Sequence, residues 1–271
     1  MRPIFIPTYI KQYWENDLSV GDKQEAIKKA YASLLKGPPD VSIVIPAYNE
    51  EEYILRTLLS LSNNITKFSV EIIVVNNNST DNTEQIVRGS GVTCVNELEK
   101  GIAAARTAGL KAARGKYILN ADADTIYPRD WAQLMAEPLE RKEIAVTYGK
   151  FAFIPIGKTG RVTYFFYEHF ADFTRFFNKK LRDEAMNVYG FTSGYKRENG
   201  LSIGGFEHPV GAIEDGYMAL KLRNAGFGKL HHVVNKNAFA WTTDRRLQAD
   251  GGFWPAIKKR FKRVFFEKLR P

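Results

Sequence analysis

The stretch Tyr117-Ile118-Leu119-Asn120-Ala121-Asp122-Ala123-Asp124 is an apolar run that ends in two carboxylates separated by one residue. The apolar part is typical of a buried β-strand, in which residues i and i+2 point to the same side. At or just past the strand end, oxygens of Asp122 and Asp124 can converge on one divalent cation, and hard oxygen ligands suit Mg²⁺ or Mn²⁺. The alternative is an Asx-turn or helix cap, the commoner role of such pairs.

Two similar units precede this stretch. Residues 40–46 and 70–75 are apolar and strand-like, and each run is followed by a polar turn and a segment of helical spacing. Repeated strand–turn–helix units without short hairpins predict an α/β fold with a mostly parallel sheet and flanking helices. Ligands of such sheets bind beyond the carboxyl ends of the strands. We therefore expect a ligand site at the polar loops that follow these strands.

Four residues mark predicted helix boundaries in this half of the chain. Asn49 and Asp81 are each followed three residues later by Glu, the pattern of a helix N-cap. Gly115 follows an Ala-rich helical stretch that begins at Lys100, and is a C-cap signal. Pro128 stands where the first residue of another helix is expected.

Composition narrows the class of protein. The 271 residues suffice for one large domain or one domain with an appendage. A net charge of +9 favours a polyanionic partner, which is a nucleotide, a nucleic acid or an anionic membrane surface. The single Cys94 excludes an intrachain disulfide and indicates a reducing compartment. No signal-peptide pattern and no run of ~18 apolar residues occurs, so we expect a cytoplasmic protein that does not span a membrane.

Two later segments have helical spacing and unusual composition. Residues 161–181 hold eight aromatic side chains, which predicts either a core stripe or an apolar wall for a lipid-linked acceptor or the bilayer. Residues 255–269 space apolar side chains along one helical face among many Lys and Arg residues. Such a basic amphipathic helix fits an anionic membrane surface, and a helix docked on the domain is the alternative.

Charged residues in the second half suggest chemistry. Glu214 and Asp215 open a predicted helix that ends at Gly226, where they can balance the helix dipole or hold a carboxylate rigidly for catalysis. Arg245 and Arg246 follow a short polar loop. The guanidinium fork suits phosphate oxygens, although a solvated loop charge is the alternative.

The chain resembles family 2 glycosyltransferases of the GT-A fold from residue 40 to about residue 246. The resemblance begins at Val41-Ser42-Ile43-Val44-Ile45-Pro46-Ala47-Tyr48-Asn49-Glu50 and continues through residues 71–83, Asp122-Ala123-Asp124, Gly204-Gly205-Phe206 and Glu214-Asp215. It implies a Rossmann-like, mostly parallel sheet with flanking helices. Five motifs in the right order make the match specific.

The residue patterns and the resemblance together predict a division of the chain. An N-terminal extension would cover residues 1–39 and a GT-A domain residues 40–250. Within that domain, residues 40–150 would bind the nucleotide sugar and residues 151–250 the acceptor. The basic helix would occupy residues 251–271.

Roles for single residues follow from the same resemblance. Asp124 would be the principal ligand of Mn²⁺ or Mg²⁺, and Asp122 would reach the ribose or metal-bound water. Asp215 would be the catalytic base, with Glu214 as its neighbour. The nucleotide sugar would contact Pro46, Ala47, Tyr48, Glu50, Asn76, Asn77, Gly101, Arg106, Asp122, Ala123, Arg245 and Arg246.

Two pairs of residues leave alternatives open. Asn76 and Asn77 stand where the family usually has acidic residues that contact the base, so the identity of the base is open. His231 and His232 are predicted to lie in a strand with a structural role, and a further metal contact is the alternative.

Three candidate functions can be compared with these sequence features. The first is a metal-dependent inverting glycosyltransferase that uses a UDP- or GDP-sugar and a glycan or lipid-linked acceptor, in cell-surface polysaccharide or glycolipid synthesis at the inner face of the cytoplasmic membrane. The second is a sugar-phosphate nucleotidyltransferase, which would want a basic Gly-rich loop where residues 46–52 are acidic. The third is a non-enzymatic nucleic-acid-binding protein, for which no base-reading motif is seen. We expect the first, with no nucleic-acid partner.

Overall fold

The computed structural model of the chain describes residues 2–209, 212–249 and 251–265. The strands are β1 (Val41–Ala47), β2 (Val70–Asn76), β3 (Thr93–Asn96), β4 (Tyr117–Asn120), β5 (Thr125–Ile126), β6 (Ile144–Tyr148), β7 (Phe151–Ile154), β8 (Ser193–Lys196), β9 (Lys229–His232) and β10 (Ala240–Thr243). The helices are α1 (Thr8–Trp14), α2 (Val20–Leu34), α3 (Ile54–Ser62), α4 (Thr83–Gly89), α5 (Ile102–Ala112), α6 (Trp131–Ala136), α7 (Arg161–Leu181), α8 (Arg197–Ser202), α9 (Glu214–Asn224), α10 (Arg245–Ala249) and α11 (Phe253–Phe265).

The central sheet has seven strands in the order β3-β2-β1-β4-β8-β6-β9. All neighbours pair in parallel except at β8, which runs antiparallel to both β4 and β6. The mostly parallel sheet is as predicted. The antiparallel β8 was not predicted, because its four residues include Gly194 and form no apolar run. A second sheet, with the strand order β5-β10-β7, was also not predicted from the sequence.

Strand β1 is apolar along most of its length because both faces of the sheet are covered. Ile43 and Ile45 belong to the core cluster on one face, which includes Leu58 of α3. Val44 belongs to the cluster on the other face, with Leu110 of α5. Alternation of side chains across a strand explains this split, and burial on both faces explains the continuous apolar run.

The N-terminal residues pack into the same core. Ile10 of α1 and Ile27 of α2 are fully buried in the cluster that contains Ile43. Arg2 is buried as well, and its guanidinium donates twice to Asp172 of α7, at 2.8 Å each. The segment predicted as an extension therefore packs on the sheet that it precedes. The division of the chain at residues 39, 150 and 250 stays a prediction.

Neither Asn49 nor Asp81 is the N-cap residue of its helix, although Oδ1 of Asp81 accepts from the backbone N–H of Thr83, the first residue of α4, at 3.0 Å. Both side chains also join two loops. Helix α3 begins at Ile54, and Asn49 has a φ of 53° and accepts a hydrogen bond from the backbone N–H of Thr80 at 2.8 Å. Helix α4 begins at Thr83, and Asp81 accepts from the backbone N–H of Glu51 at 3.2 Å. Asn and Asp readily satisfy backbone groups outside helices, and here they tie the loop after β1 to the loop after β2.

The other two boundary signals also have different roles. Helix α5 ends at Ala112, before Gly115. A Cβ on Gly115 would lie 2.7 Å from the backbone nitrogen of Ser42, so this glycine permits close packing against β1. Pro128 precedes α6, and its carbonyl accepts from the N–H of Trp131, the first helical residue, at 3.0 Å.

The two predicted later helices are present. Helix α7 spans the aromatic segment, and α11 covers residues 253–265 of the basic segment, whose residues 266–269 lie outside the described part of the chain. In the described ranges, no helix combines the length and the apolar character that crossing a membrane requires.

Candidate functional site

A cavity of about 850 Å³ opens at the carboxyl ends of β1, β2 and β4. Its position is the one expected for a ligand site in a parallel sheet. It collects most of the residues that the resemblance assigned to the nucleotide sugar and the metal, namely Pro46, Ala47, Tyr48, Glu50, Asn77, Gly101, Asp122, Ala123, Asp124, Arg245 and Arg246. Six further lining residues were not predicted from the sequence, namely Asn78, Ser79, Thr80, Lys100, Ile102 and Ala105. Asn76, Arg106, Glu214 and Asp215 are not among the described residues that line it.

Of the two asparagines at the end of β2, only Asn77 lines the cavity. Asn77 donates from Nδ2 to the carbonyls of Glu97 and Glu99, at 2.9 and 2.6 Å, and its Oδ1 accepts from the N–H of Gly101 at 2.9 Å. Both amide protons of this side chain are thus used within the protein. Asn76 is buried, and its Nδ2 donates to Oδ1 of Asn96 at 3.0 Å. In this arrangement neither amide N–H₂ group is free to meet a base, and Asn77 fixes the loop that carries Gly101.

Asp124 is held at the cavity floor by residues far along the chain. Its Oδ2 accepts from the hydroxyl of Thr243 at 2.7 Å and lies 3.3 Å from Nη2 of Arg245. Burial raises the pKa of Asp124, and the nearby charge of Asp122 raises it further. Thr243 was missed by the sequence reading. The only sequence feature that could have indicated Thr243 is its position two residues before the arginine pair.

Glu50 is the third carboxylate in the cavity. Its Oε1 accepts from the Arg245 guanidinium, while its Oε2 is buried and has no hydrogen-bond partner among the described residues. Burial raises the pKa of Glu50 to about 7, against the opposing effect of Arg245. A buried oxygen without a donor is costly, which marks this position as one that a cation or a ligand donor can complete.

The oxygen-rich floor fits a divalent cation. Asp122, Asp124 and Glu50 offer only carboxylate oxygens, which Mg²⁺ and Mn²⁺ prefer, and each negative charge disfavours the next until a cation is added. Over the described residues, no three acidic, histidine or cysteine side chains are already arranged as a closed metal site. The protein would therefore supply one or two carboxylates and leave other positions to water and phosphate, the usual arrangement for Mg²⁺.

Behind the cavity, a buried arginine joins two of the predicted acidic residues. Nη2 of Arg106 lies 3.0 Å from Oδ1 of Asp122, and Nη1 donates to Oδ1 of Asp215. Arg106 is almost completely buried. It therefore lies between Asp122 and Asp215 and not among the described lining residues, whereas the resemblance placed it in contact with the nucleotide sugar. That contact stays a prediction. Pairing with two carboxylates offsets the cost of burying its charge.

Asp215 stands at the start of α9 with both of its oxygens engaged. Besides the bond from Arg106, its Oδ2 accepts from the backbone N–H of Gly190 at 2.7 Å. Burial raises the pKa of Asp215 to about 6, with Arg106 opposing the rise and Glu214 adding to it. A carboxylate whose pKa lies near neutrality, held rigidly in place, has the properties of a general base.

Gly190 is a site residue that the sequence reading did not single out. A Cβ at this position would lie 1.4 Å from Nη1 of Arg106, so any side chain would displace the guanidinium. The only sequence signal was the Gly-punctuated segment of residues 189–195.

The two histidines lie in β9, as predicted. His232 stacks on Tyr148 with ring centroids 4.7 Å apart, and burial lowers its pKa to about 3. Neither histidine belongs to the described lining of the cavity, so the alternative of a metal contact gains no support.

Comparison with known proteins gives the family. The model of glycosyl transferase family 2 matches residues 42–199. Among curated relatives, an uncharacterized glycosyltransferase, EpsJ, of Bacillus subtilis (strain 168) is 32% identical over 113 residues, which are 40% of this chain and 33% of that protein. The Escherichia coli UDP-Glc:alpha-D-GlcNAc-diphosphoundecaprenol beta-1,3-glucosyltransferase WfaP is 32% identical over 115 residues, 41% of this chain and 45% of that protein. The chain thus spans less than half the length of these relatives.

Solved structures agree on the fold. The mannosyltransferase PcManGT from Pyrobaculum calidifontis, in complex with GDP-Man and Mn²⁺, superimposes with a TM-score of 0.58 at 19% identity, covering 93% of this chain and 78% of that one. The S. aureus TarS 1-349 structure with UDP gives a TM-score of 0.55 at 20% identity, covering 75% of this chain and 60% of that one. The predicted GT-A type of sheet is confirmed. By the match of its residues 42–199, the chain belongs to glycosyl transferase family 2.

Proposed function

We propose that this protein transfers a sugar from a nucleotide-sugar donor, a UDP- or GDP-sugar, to an acceptor hydroxyl. One observation carries the proposal: the acidic Asp122 and Asp124 and the basic Arg245 and Arg246 line one cavity at the carboxyl edge of the sheet. A donor with a diphosphate needs both signs of charge, because arginines bind phosphate oxygens and carboxylates bind the cation that phosphates share.

Breaking the sugar–phosphate bond requires positive charge beside the departing diphosphate. Arg245 and Arg246 line the cavity and supply guanidinium groups for that purpose. A divalent ion, Mn²⁺ or Mg²⁺, would be held by Asp124 with Asp122 and would add further positive charge when bound. Glu50 orients Arg245 through their ion pair.

The acceptor hydroxyl must lose its proton as it attacks. Asp215 is the proposed base, and the bonds from Arg106 and Gly190 hold its carboxylate in place. Each carboxylate oxygen keeps a second lone pair for the hydroxyl proton. A single base implies one in-line displacement, so we expect inversion at the anomeric carbon, with Glu214 as a neighbour that tunes Asp215.

The acceptor is proposed to be a glycan or lipid-linked sugar, in the synthesis of a cell-surface polysaccharide or glycolipid. The name of the Escherichia coli relative supports this, since it describes a glucosyltransferase acting on a diphosphoundecaprenol-linked sugar. An acceptor of that kind would present its hydroxyl at the inner face of the cytoplasmic membrane.

A thermal-shift panel tests the donor. We expect UDP- or GDP-sugars with Mn²⁺ to raise the Tm of the wild-type protein, because a ligand that binds the native state stabilises it. Asp124→Asn should lose the Mn²⁺-dependent part of the shift and all turnover, whereas Asp17→Asn, an exposed control, should behave as wild type. The proposal is wrong if no nucleotide shifts the Tm, or if Asp124→Asn remains fully active with a chelator present.

A further inference from the structure

Helix α7 has one buried face and one exposed aromatic face. The buried face includes Tyr164 and Tyr167 and closes the core. On the other side Phe166, Phe173 and Phe176 are 65%, 52% and 54% exposed. Their spacing of seven and three residues keeps them on one side of the helix. Three phenylalanines this exposed form an apolar stripe that the rest of the described protein leaves open to contact.

The charges of α7 are sorted between the same two faces. Its two acidic residues lie on the protein side, where Glu168 pairs with Arg161 at 2.7 Å and Asp172 with Arg2 at 2.8 Å. On the outside are lysines, and Nζ of Lys180 lies 4.9 Å from the centroid of the Phe176 ring. The exposed face is thus apolar and basic.

Helix α11 packs beside α7 and repeats this character. The ring of Phe253 lies 6.1 Å from that of Tyr164, which anchors the start of α11 on the core. Trp254 is 75% exposed, and Lys258 and Lys262 are also exposed. Residues 251–265 contain no acidic side chain. Docking on the domain and contact with a membrane are therefore compatible for this helix, because one of its faces packs on the core and another remains exposed.

We propose that the exposed face of α7, together with α11, binds an anionic lipid bilayer. Aromatic rings enter the boundary between headgroups and acyl chains, and lysines are attracted by anionic headgroups. Among the described residues of α7 and α11, no exposed side chain is acidic, and this is the charge complement that such a bilayer requires. This inference goes beyond sugar transfer and does not depend on it.

The surface is linked to the cavity. The hydroxyl of Tyr164, on the inner face of α7, donates to Asp244 at 2.6 Å, and Asp244 immediately precedes Arg245. The arginine pair is therefore connected to the buried face of α7, opposite the face that carries the exposed phenylalanines.

Vesicle flotation of the full chain tests the proposal. Vesicles of phosphatidylcholine alone are compared with vesicles containing about a third phosphatidylglycerol, and neither contains a lipid-linked sugar, so capture reports the bilayer and no acceptor. Wild type should float with the anionic vesicles only. The triple variant Phe166→Ser, Phe173→Ser, Phe176→Ser should bind at least about tenfold more weakly. The control Ile65→Ser, Leu98→Ser changes equally exposed apolar residues elsewhere and should float as wild type.

A second variant tests the charges without touching apolar packing. Replacing Lys180, Lys258 and Lys262 by Gln should weaken binding by about 10²-fold, since each lysine near an anionic surface contributes about fivefold. Circular dichroism confirms the fold of each variant. The proposal is overturned if wild type stays unbound at low salt or if the lysine variant floats as wild type. It is also overturned if the wild type is a dimer that the phenylalanine variant dissociates, which would make the stripe a protein interface.

Discussion

Nη2 of Arg245 lies 3.3 Å from Oδ2 of Asp124, and the same nitrogen donates to Glu50. The Arg245 guanidinium thus neutralises the carboxylate of Asp124, which we propose as the principal metal ligand. A divalent ion that uses this oxygen must replace the guanidinium, and an arginine so released has a phosphate partner when the donor binds. The metal ion and the Arg245 guanidinium therefore compete for Asp124, and the guanidinium that the ion displaces becomes available to the diphosphate.

Arg245→Ala should tighten metal binding in the absence of nucleotide. An ion pair of this exposure contributes about 0.2–1 kcal/mol, so its loss should raise the apparent Mn²⁺ affinity by up to about fivefold. The same variant should bind the donor nucleotide more weakly, because a phosphate-binding guanidinium is gone. Calorimetric titration with Mn²⁺, and then with nucleotide, measures both effects.

Arg246→Ala is the matched control for that experiment. No ion pair is described between Arg246 and Asp124, and the Arg246 charge acts on Asp124 only at longer range, so Arg246→Ala should raise Mn²⁺ affinity less than Arg245→Ala does. If Arg245→Ala binds Mn²⁺ as weakly as wild type, or more weakly, the competition does not exist.

A methyl group at Gly190 should lower both the stability of the protein and its transfer activity, because it displaces Arg106. Gly190→Ala puts a Cβ where Nη1 of Arg106 lies, and relief of such a clash costs about 1–3 kcal/mol of stability. Movement of Arg106 would also release Asp215, so transfer should fall together with Tm. Gly21→Ala, in the exposed first turn of α2 with no close neighbour, should leave both unchanged or slightly raise Tm. Wild-type Tm and activity in Gly190→Ala would contradict the packing described here.

The cavity could be predicted from the sequence because its residues follow apolar strands. Strand β1 is apolar enough to be recognised from its run alone, and a parallel sheet brings the residues after β1, β2 and β4 to one edge. Asp122 and Asp124 needed only this rule. The loops that carry them follow directly on apolar strands, and such a pattern of consecutive residues can be recognised from the sequence alone.

What could not be predicted depends on contacts between distant residues. The pair Arg106 and Asp215 is separated by 109 positions, and its geometry depends on the missing side chain of Gly190. Asn49 matched the pattern of a helix cap, but its side chain bonds to a loop about 30 residues away, and that tertiary bond prevailed over the local pattern. Asp81 makes both a local bond to the start of α4 and a bond to the other loop.

Transfer should depend on pH through Asp215. A base acts in its ionised form, and burial raises the pKa of Asp215 to about 6, so kcat/KM should fall as the pH decreases below about 6. The negative charge of Glu214 contributes to the raised pKa. Glu214→Gln should therefore shift this acidic limb to lower pH. A limb that does not move in Glu214→Gln would show that another group controls it.

Asp215→Asn separates the base from the donor site. The amide keeps the shape of the side chain but cannot take a proton, so transfer should fall by about 10²–10⁴-fold while donor binding, measured by thermal shift, survives. Asp215 does not line the described cavity, which is why donor affinity should be spared. Glu214→Gln, one residue earlier in the same helical turn, should retain most of its activity at pH 8, because it changes only the charge beside the base. Asp215→Asn transferring sugar at the wild-type rate would remove Asp215 from this role. A product that retains the anomeric configuration of the donor, observed by NMR, would rule out the single displacement for which this base is proposed.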